Sequence, residues 1–145
     1  MNNIYIGECS IEEIIAIANQ IPEFENSYPI SEYKKRLSQV PFLALKAAVD
    51  DKDAGFKLGY ELNDDTFYTW FGGVLPFYRQ IGLADQMATA QEGWAKARGY
   101  KRIKLKTRNY LKPMLIFALK SGFNITAIEE RPDINQNRII LQKEL

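Results

Sequence analysis

Arg79, Gln80, Ile81, Gly82, Leu83 and Ala84 are the residues best arranged for chemistry, because they carry the chain from a β-rich run directly into a strongly amphipathic helix. A glycine in such a turn lets backbone approach a ligand closely, and the free N–H groups that open the helix point at whatever lies over its positive end. Phosphate suits that arrangement best. Just upstream stand Val74 and Pro76, preceded by Gly72-Gly73. Glycines inside a strand predict a bulge or a close approach of other backbone.

The chain has no histidine. That removes Ser-His-Asp and Cys-His nucleophilic mechanisms, the commonest transition-metal ligand, and the side chain best matched to proton transfer at neutral pH. Any chemistry must use carboxylates, tyrosines, water or the backbone. Cys9 is the single cysteine, so an intramolecular disulfide and a cysteine-cluster metal site are excluded; no metal is expected, and a reducing compartment fits. Lysines and arginines number 19 against 18 acids, a formal net charge of +1, so no global field recruits nucleic acid or a membrane surface. The basic run Lys101, Arg102, Lys104, Lys106 and Arg108 beside Tyr110 reads as a solvated strand face rather than an RNA surface. Neither Gly-x-x-x-x-Gly-Lys-(Ser/Thr) nor Gly-x-Gly-x-x-Gly is present, which disfavours the nucleotide-binding domains that carry them. No apolar stretch reaches about 18 residues and no charged start precedes one at the N-terminus, so the expectation is a cytoplasmic protein with no membrane partner.

The elements that must position the turn follow from periodicity. All 145 residues suit a single domain, 1–145, with a core that needs no disulfide or metal. Asn3 to Gly7 reads as a strand, and Ser10-Ile11-Glu12-Glu13 is a capping box opening a helix from Ile11 to Asn19. Pro22 ends that helix, and an aromatic and acidic loop leads to a second near Ser31 to Leu37. Phe42 to Val49, Phe56 to Leu62 and Thr66 to Val74 read as three strands, with Asp50 to Asp53 as a turn. Leu83, Met87, Ala90 and Trp94 recur at helical spacing, predicting a helix from Gly82 to Arg98 that packs one apolar stripe. Lys101 to Thr107 alternates as a half-wet strand, Pro113 to Lys120 is a shorter helix, and Phe123 to Glu129 and Arg138 to Gln142 are the last strands. The order, without repeat or linker, is that of a mixed α/β (α+β) domain.

Arg79-x-x-Gly82-x-Ala84, with Val74-x-Pro76 upstream, resembles motif A of the GNAT superfamily of acyl-CoA-dependent N-acyltransferases, whose pattern is (Gln/Arg)-x-x-Gly-x-(Gly/Ala). The element order and the late Gly122-Phe123 pair extend the resemblance over essentially the whole chain. It implies a central mixed, mostly antiparallel sheet of about seven strands, splayed between strands 4 and 5 and flanked by about four helices, with acetyl-CoA in the opening. By resemblance, main-chain groups around Gly73 and Val74 pair with the pantetheine amides. Arg79 and Gln80 begin the phosphate turn, and the amides of Ile81, Gly82, Leu83 and Ala84 receive the pyrophosphate. Arg79 either neutralises phosphate or sits in solvent. Asn109, at the end of the fifth strand, either bonds the pantetheine arm as its counterpart does in many members or caps its loop.

The same resemblance implies an N-acetyltransferase that moves an acetyl group from acetyl-CoA to a primary amine of a small molecule or protein by direct attack in a ternary complex. The alternative is a catalytically silent acyl-CoA-binding sensor. Acetylation needs a neutral amine, a stabilised thioester oxygen and a protonated leaving thiolate. Histone-type members carry a basic glutamate six residues before the Val74 position, where this chain has Tyr68. The general-acid tyrosine of the family falls on Ala118 when counted from Gly122 and on Ile116 when counted from Asn109, so Tyr110 is the nearest substitute. By period-two alternation Tyr68 and Trp70 share a face of the fourth strand, with Tyr60 and Glu61 on the third. That group either walls an acceptor pocket, with Glu61 or a water held by Tyr68 removing the amine proton, or is ordinary sheet packing. Catalytic candidates are therefore Tyr68, Glu61 and Tyr110. By resemblance the loop that carries Glu23, Phe24, Glu25 and Tyr28 covers the acceptor; these residues either suit a cationic amine through charge and cation–π attraction or form an ordinary polar surface loop. The acceptor's identity stays open at this point, as does the pairing of two copies as a homodimer.

Overall fold

Period-two and helical apolar patterns build a seven-stranded sheet covered on both faces. The computed structural model describes residues 3–24 and 28–145. In chain order the elements are β1 (Ile4–Glu8), α1 (Ile11–Ala18), α2 (Ile30–Leu37), β2 (Phe42–Val49), β3 (Lys52–Asn63), β4 (Thr66–Val74), α3 (Leu83–Ala97), β5 (Arg102–Arg108), α4 (Lys112–Lys120), β6 (Asn124–Glu129) and β7 (Arg138–Glu144). The strands lie in the order β1-β2-β3-β4-β5-β7-β6. Every neighbouring pair is antiparallel except β4 with β5. This is the mixed, mostly antiparallel sheet that the family resemblance implies.

The capping box of α1 forms in both directions: Glu13 N–H donates to Ser10 Oγ at 3.1 Å, and Ser10 N–H donates to Glu13 Oε2 at 3.1 Å. Two orphan donors are thereby satisfied, a contribution of about 1 kcal/mol. The β2–β3 connection is tighter than the expected Asp50 to Asp53 turn. Asp50 and Asp51 alone make it, at φ 51° and 68°, and β3 starts at Lys52. Short polar side chains tolerate the left-handed region, and a two-residue turn with both φ positive matches the twist of a hairpin.

Ile14 and Ile17 of α1, with Tyr33 and Leu37 of α2, pack on Phe56, Leu58 and Trp70 of the sheet. On the other face, Ala95 of α3 and Ala118 of α4 pack on Phe67, Ile103, Leu105 and Leu141. Leu83 and Met87 of α3 continue that layer over Ala47 and Val49. Phe56 and Phe67 are fully buried, one facing each helix layer. Truncating either to alanine costs about 3–5 kcal/mol. No helix among the described residues is long and apolar enough to cross a membrane.

Candidate active site

The single parallel pairing defines the site by where it stops. β4 and β5 pair from Thr66 with Arg102 to Thr69 with Leu105, and there the ladder ends. β4 runs on to Val74 and β5 to Arg108, so the backbone groups that each turns toward the other beyond this point have no strand partner. The cause is a bulge. Leu58 of β3 pairs with Phe71 and Gly59 with Thr69, which leaves Trp70 as the extra residue. The distortion expected at Gly72-Gly73 thus lies two residues earlier, because those glycines stay in register with Lys57 and Phe56. They serve close packing instead: a Cβ on Gly72 would come within 2.8 Å of the Phe56 carbonyl oxygen, and one on Gly73 within 2.6 Å of the Phe24 ring.

From Val74 the chain passes through Leu75 and a 3-10 turn, Pro76–Tyr78, to the start of α3. Gln80 and Gly82 adopt left-handed backbone, at φ 69° and 87°. A Cβ on Gly82 would touch nothing within 4 Å, so glycine is needed there for its dihedral freedom and not for space. The first bond into α3 runs from Gln86 N–H to Gly82 O at 3.1 Å. Among the described residues, the N–H groups of Gln80, Ile81, Gly82, Leu83, Ala84 and Asp85 have no protein acceptor. A row of free donors at the positive end of a 15-residue helix is a strong anion cradle. Arg79 is exposed but makes two contacts of its own within the chain. Its Nε donates to Val74 O at 2.9 Å and its Nη2 meets Glu23 Oε2 at 3.1 Å, and this guanidinium holds the Glu23 carboxyl below the usual carboxylate range.

Tyr68, Tyr60 and Trp70 are brought together on the α1–α2 face, with ring centroids 5.4 Å apart for Tyr60–Tyr68 and 6.0 Å for Tyr60–Trp70. Burial raises the Tyr68 pKa, so its hydroxyl stays protonated and can donate. Glu61 is not with them. As the next residue in β3 it points to the opposite face, where it accepts a 2.9 Å bond from the Tyr100 hydroxyl. Burial, followed by this bond to Glu61, pushes the Tyr100 pKa up to about 12. The acceptor loop also differs from the expected acidic cover. Glu23 is tied to Arg79, Phe24 lies edge-on to Phe56 and Phe71, and Tyr28 packs on Trp70; Glu25 lies outside the described residues. The cation already over these rings is Arg36 of α2, with its guanidinium carbon 4.3 Å from the Trp70 centroid.

On α4, Ala118 faces the core at 1% exposure whereas Ile116 is 52% exposed, so the inward position counted from Gly122 carries no hydroxyl. Tyr110 is half-exposed on the loop before α4. Asn109 braces that loop against the β6–β7 connection, its amide donating to Ile134 O at 3.1 Å and its Oδ1 accepting from Lys112 Nζ at 2.8 Å. Cys9 is partly buried, and burial pushes its thiol up to about 11, leaving little thiolate near neutral pH.

Among the described residues, three buried side-chain polar atoms have no hydrogen-bond partner: Trp70 Nε1, Gln91 Nε2 and Thr107 Oγ1. Buried donors left unpaired are costly, so each is a candidate position for a partner outside the protein chain. Thr107 stands beyond the last β4–β5 pair, on the α3–α4 side of the opening. Gln91 is held by a 2.7 Å bond between its Oε1 and Thr69 Oγ1. Gln91 interrupts the apolar stripe one turn after Met87, a signal available in the sequence; nothing comparable announced Thr107. Lys57 of β3 lies under α3 and α4 beside Thr69 and Gln91, and burial lowers its pKa to about 8 despite the Glu92 charge.

A family model described as the acetyltransferase (GNAT) family matches residues 11–123. No curated protein matches the sequence. Among solved structures, a GNAT family acetyltransferase from Elizabethkingia anophelis with acetyl-CoA bound superposes at a TM-score of 0.75, with 20% identity and 99% of each chain covered. PaiA N-acetyltransferase from Thermoplasma acidophilum in complex with coenzyme A gives 0.77 at 18% identity, again covering 99% of each chain. The ribosomal-protein-S18-alanine N-acetyltransferase from Escherichia coli gives 0.82 at 17% identity, covering 99% of this chain and 94% of that one. At such identities the structures speak for the fold, and the family model, spanning most of the chain, speaks for descent. The chain belongs to the GNAT acetyltransferase family.

Proposed function

We propose that this protein transfers an acetyl group from acetyl-CoA to a primary amine by direct attack in a ternary complex. One observation carries the reading: the opening between β4 and β5 runs directly into the turn whose six N–H groups, Gln80 to Asp85, are free. The residues present fit the cosubstrate. The turn would hold the pyrophosphate, the open edges of β4 near Gly73 and Val74 would bond the pantetheine amides, and the buried Thr107 hydroxyl would gain a partner. Structures with this fold have been solved with acetyl-CoA and coenzyme A, which supports the same assignment.

Acetyl-CoA supplies an activated thioester carbon, and the new C–N bond replaces its C–S bond. Tyr68, a phenol at neutral pH, orients a water that takes the amine proton to solvent. Unpaired N–H groups of β4 face the opening and stabilise the oxygen of the attacked carbonyl. With no hydroxyl at the inward position of α4, the leaving sulfur is protonated from solvent, with Tyr110 the nearest tyrosine along the chain. That same gap at Ala118 favours a second reading, a silent acyl-CoA sensor. A thiol-release assay with acetyl-CoA against polyamines, amino acids, aminoglycosides and peptides separates the two. Turnover of any acceptor supports the enzyme, and tight acetyl-CoA binding with no turnover across the panel supports the sensor.

A further inference from the structure

The aromatic face beside Tyr68 holds a cation of its own chain. The Arg36 guanidinium carbon lies 4.3 Å from the Trp70 ring centroid and 5.7 Å from that of Tyr28. Its Nε pairs with Glu32 Oε1 at 2.8 Å and its Nη1 donates to the Tyr60 hydroxyl at 3.2 Å. A guanidinium has five N–H donors, so after these two bonds three have no protein partner among the described residues. The Arg36 side chain is 29% exposed, which leaves them reachable. Trp70 adds a second observation, because its indole N–H is buried in the same cluster without an acceptor. Across the opening, Arg138 begins β7 opposite Arg108 and has no ion pair among the described residues. Arg36 and Arg138 both bring positive charge to the Tyr68 hydroxyl. Of the described acids on the cover, Glu23 is drawn away to Arg79 and Glu32 is engaged by one N–H of Arg36.

We propose that the amine acceptor also carries a carboxylate, and that Arg36 binds this group with its free guanidinium edge over Trp70. The proposal rests on the acetyl-transfer reading and names its substrate class. An acceptor whose only charge is a cation would meet a guanidinium where its own cation–π site should be. A carboxylate instead finds unsatisfied donors in a partly desolvated setting, where charge-assisted bonds are strongest. Free amino acids and peptides with an acidic residue near the amine share this chemistry.

Matched acceptors on the full chain test it. One arm sets tryptophan against tryptamine and glutamate against 4-aminobutyramide; the other sets a peptide with aspartate at its second position against the asparagine version. The expected kcat/KM is about ten-fold or more higher for the carboxylate-bearing member in at least one arm, and the arm identifies the source. Arg36→Met, which keeps the stem packed on Trp70, should bring the members within about two-fold. Arg36→Lys, which keeps the charge but loses the planar fork, should fall between. Equal or reversed preference in the unaltered protein overturns the proposal and leaves acetyl transfer standing. If no acceptor turns over, the functional reading fails separately. Calorimetric titration of the same pairs into CoA-saturated protein then reads the preference without chemistry, and equal affinities overturn the proposal.

Discussion

At the start of α3 the site consists of free backbone N–H groups held by left-handed residues at Gln80 and Gly82. Across the sheet it consists of Tyr60, Tyr68, Trp70 and Arg36, side chains brought from β3, β4 and α2. Backbone donors need only a dihedral pattern, so almost any side chain is compatible with them provided position 82 remains free to adopt its conformation. The aromatic face depends on long-range convergence, and each member is identity-sensitive. On the proposed reading, the comparison teaches that cofactor recognition would be robust to substitution whereas acceptor recognition would be free to diverge.

Gly82→Asp should break the backbone side most severely. It strains a left-handed residue and sets a carboxylate where phosphate is expected, so CoA affinity should fall by about 2 kcal/mol or more, roughly 30-fold, in a protein that still shows native circular dichroism. Unchanged affinity would place the phosphates elsewhere. The half-buried charge of Lys57 under α3 and α4 comes next. The unfolded chain holds the Lys57 proton up to about pH 10.5 and the native protein only to about 8, so stability should rise with pH across that window. Below about pH 8 both states are protonated and the full cost of burial applies. Lys57→Met should therefore stabilise the protein at pH 7 by on the order of 1–2 kcal/mol, a gain that fades toward pH 10.5. A gain that is flat with pH would assign it to packing alone.

On the side-chain face, Tyr68→Phe should lower kcat/KM for a working acceptor by roughly ten-fold at unchanged CoA affinity, the low end for groups that manage protons. Tyr110→Phe should matter less. Glu61→Gln should leave turnover intact and cost about 1 kcal/mol of stability through its bond to Tyr100. A collapse of turnover in Glu61→Gln with Tyr68→Phe silent would move the chemistry to the other face. Smallest of all, Ile81→Ala should change CoA affinity by less than about two-fold, since only its N–H is used. A large loss there would erase the distinction between the two sides.

The strands, helices and amide turn were legible because each is set by local pattern: alternation in Lys101 to Thr107, helical spacing from Leu83 to Trp94, and one glycine at a helix start. Less local features were not. The bulge sits at Trp70 because β3 dictates the pairing, and the glycine at the shift, Gly59, lies on β3 and not on the bulged strand. Glu61 and Tyr60 are adjacent in a strand and so must face opposite ways, which a strand-level list of candidates overlooks. Arg36 reads as one cation in the basic last turn of α2, and only the approach of Trp70 from β4 reveals that it fills an aromatic site. Cation–π geometry joins residues that no periodicity relates.

The short ladder between β4 and β5 also determines how the sheet breathes. Asp65 O accepts from the N–H of both Lys101 and Arg102, at 2.8 and 3.1 Å, so the seam is clamped at one end and runs open toward Val74 and Arg108. Its partners lie 36 residues apart at Thr66 and Arg102, whereas β2, β3 and β4 join through short turns. Loop-closure entropy makes such a seam late to form and early to part. Among the N–H groups that face the seam, amide exchange should therefore be slowest at Thr66 to Thr69 and fast beyond, as in a zip fastener stopped partway, while the alternate N–H groups bonded to β3 and β7 stay protected. On the proposed reading, the substrate entrance lies where the sheet is already unfastened.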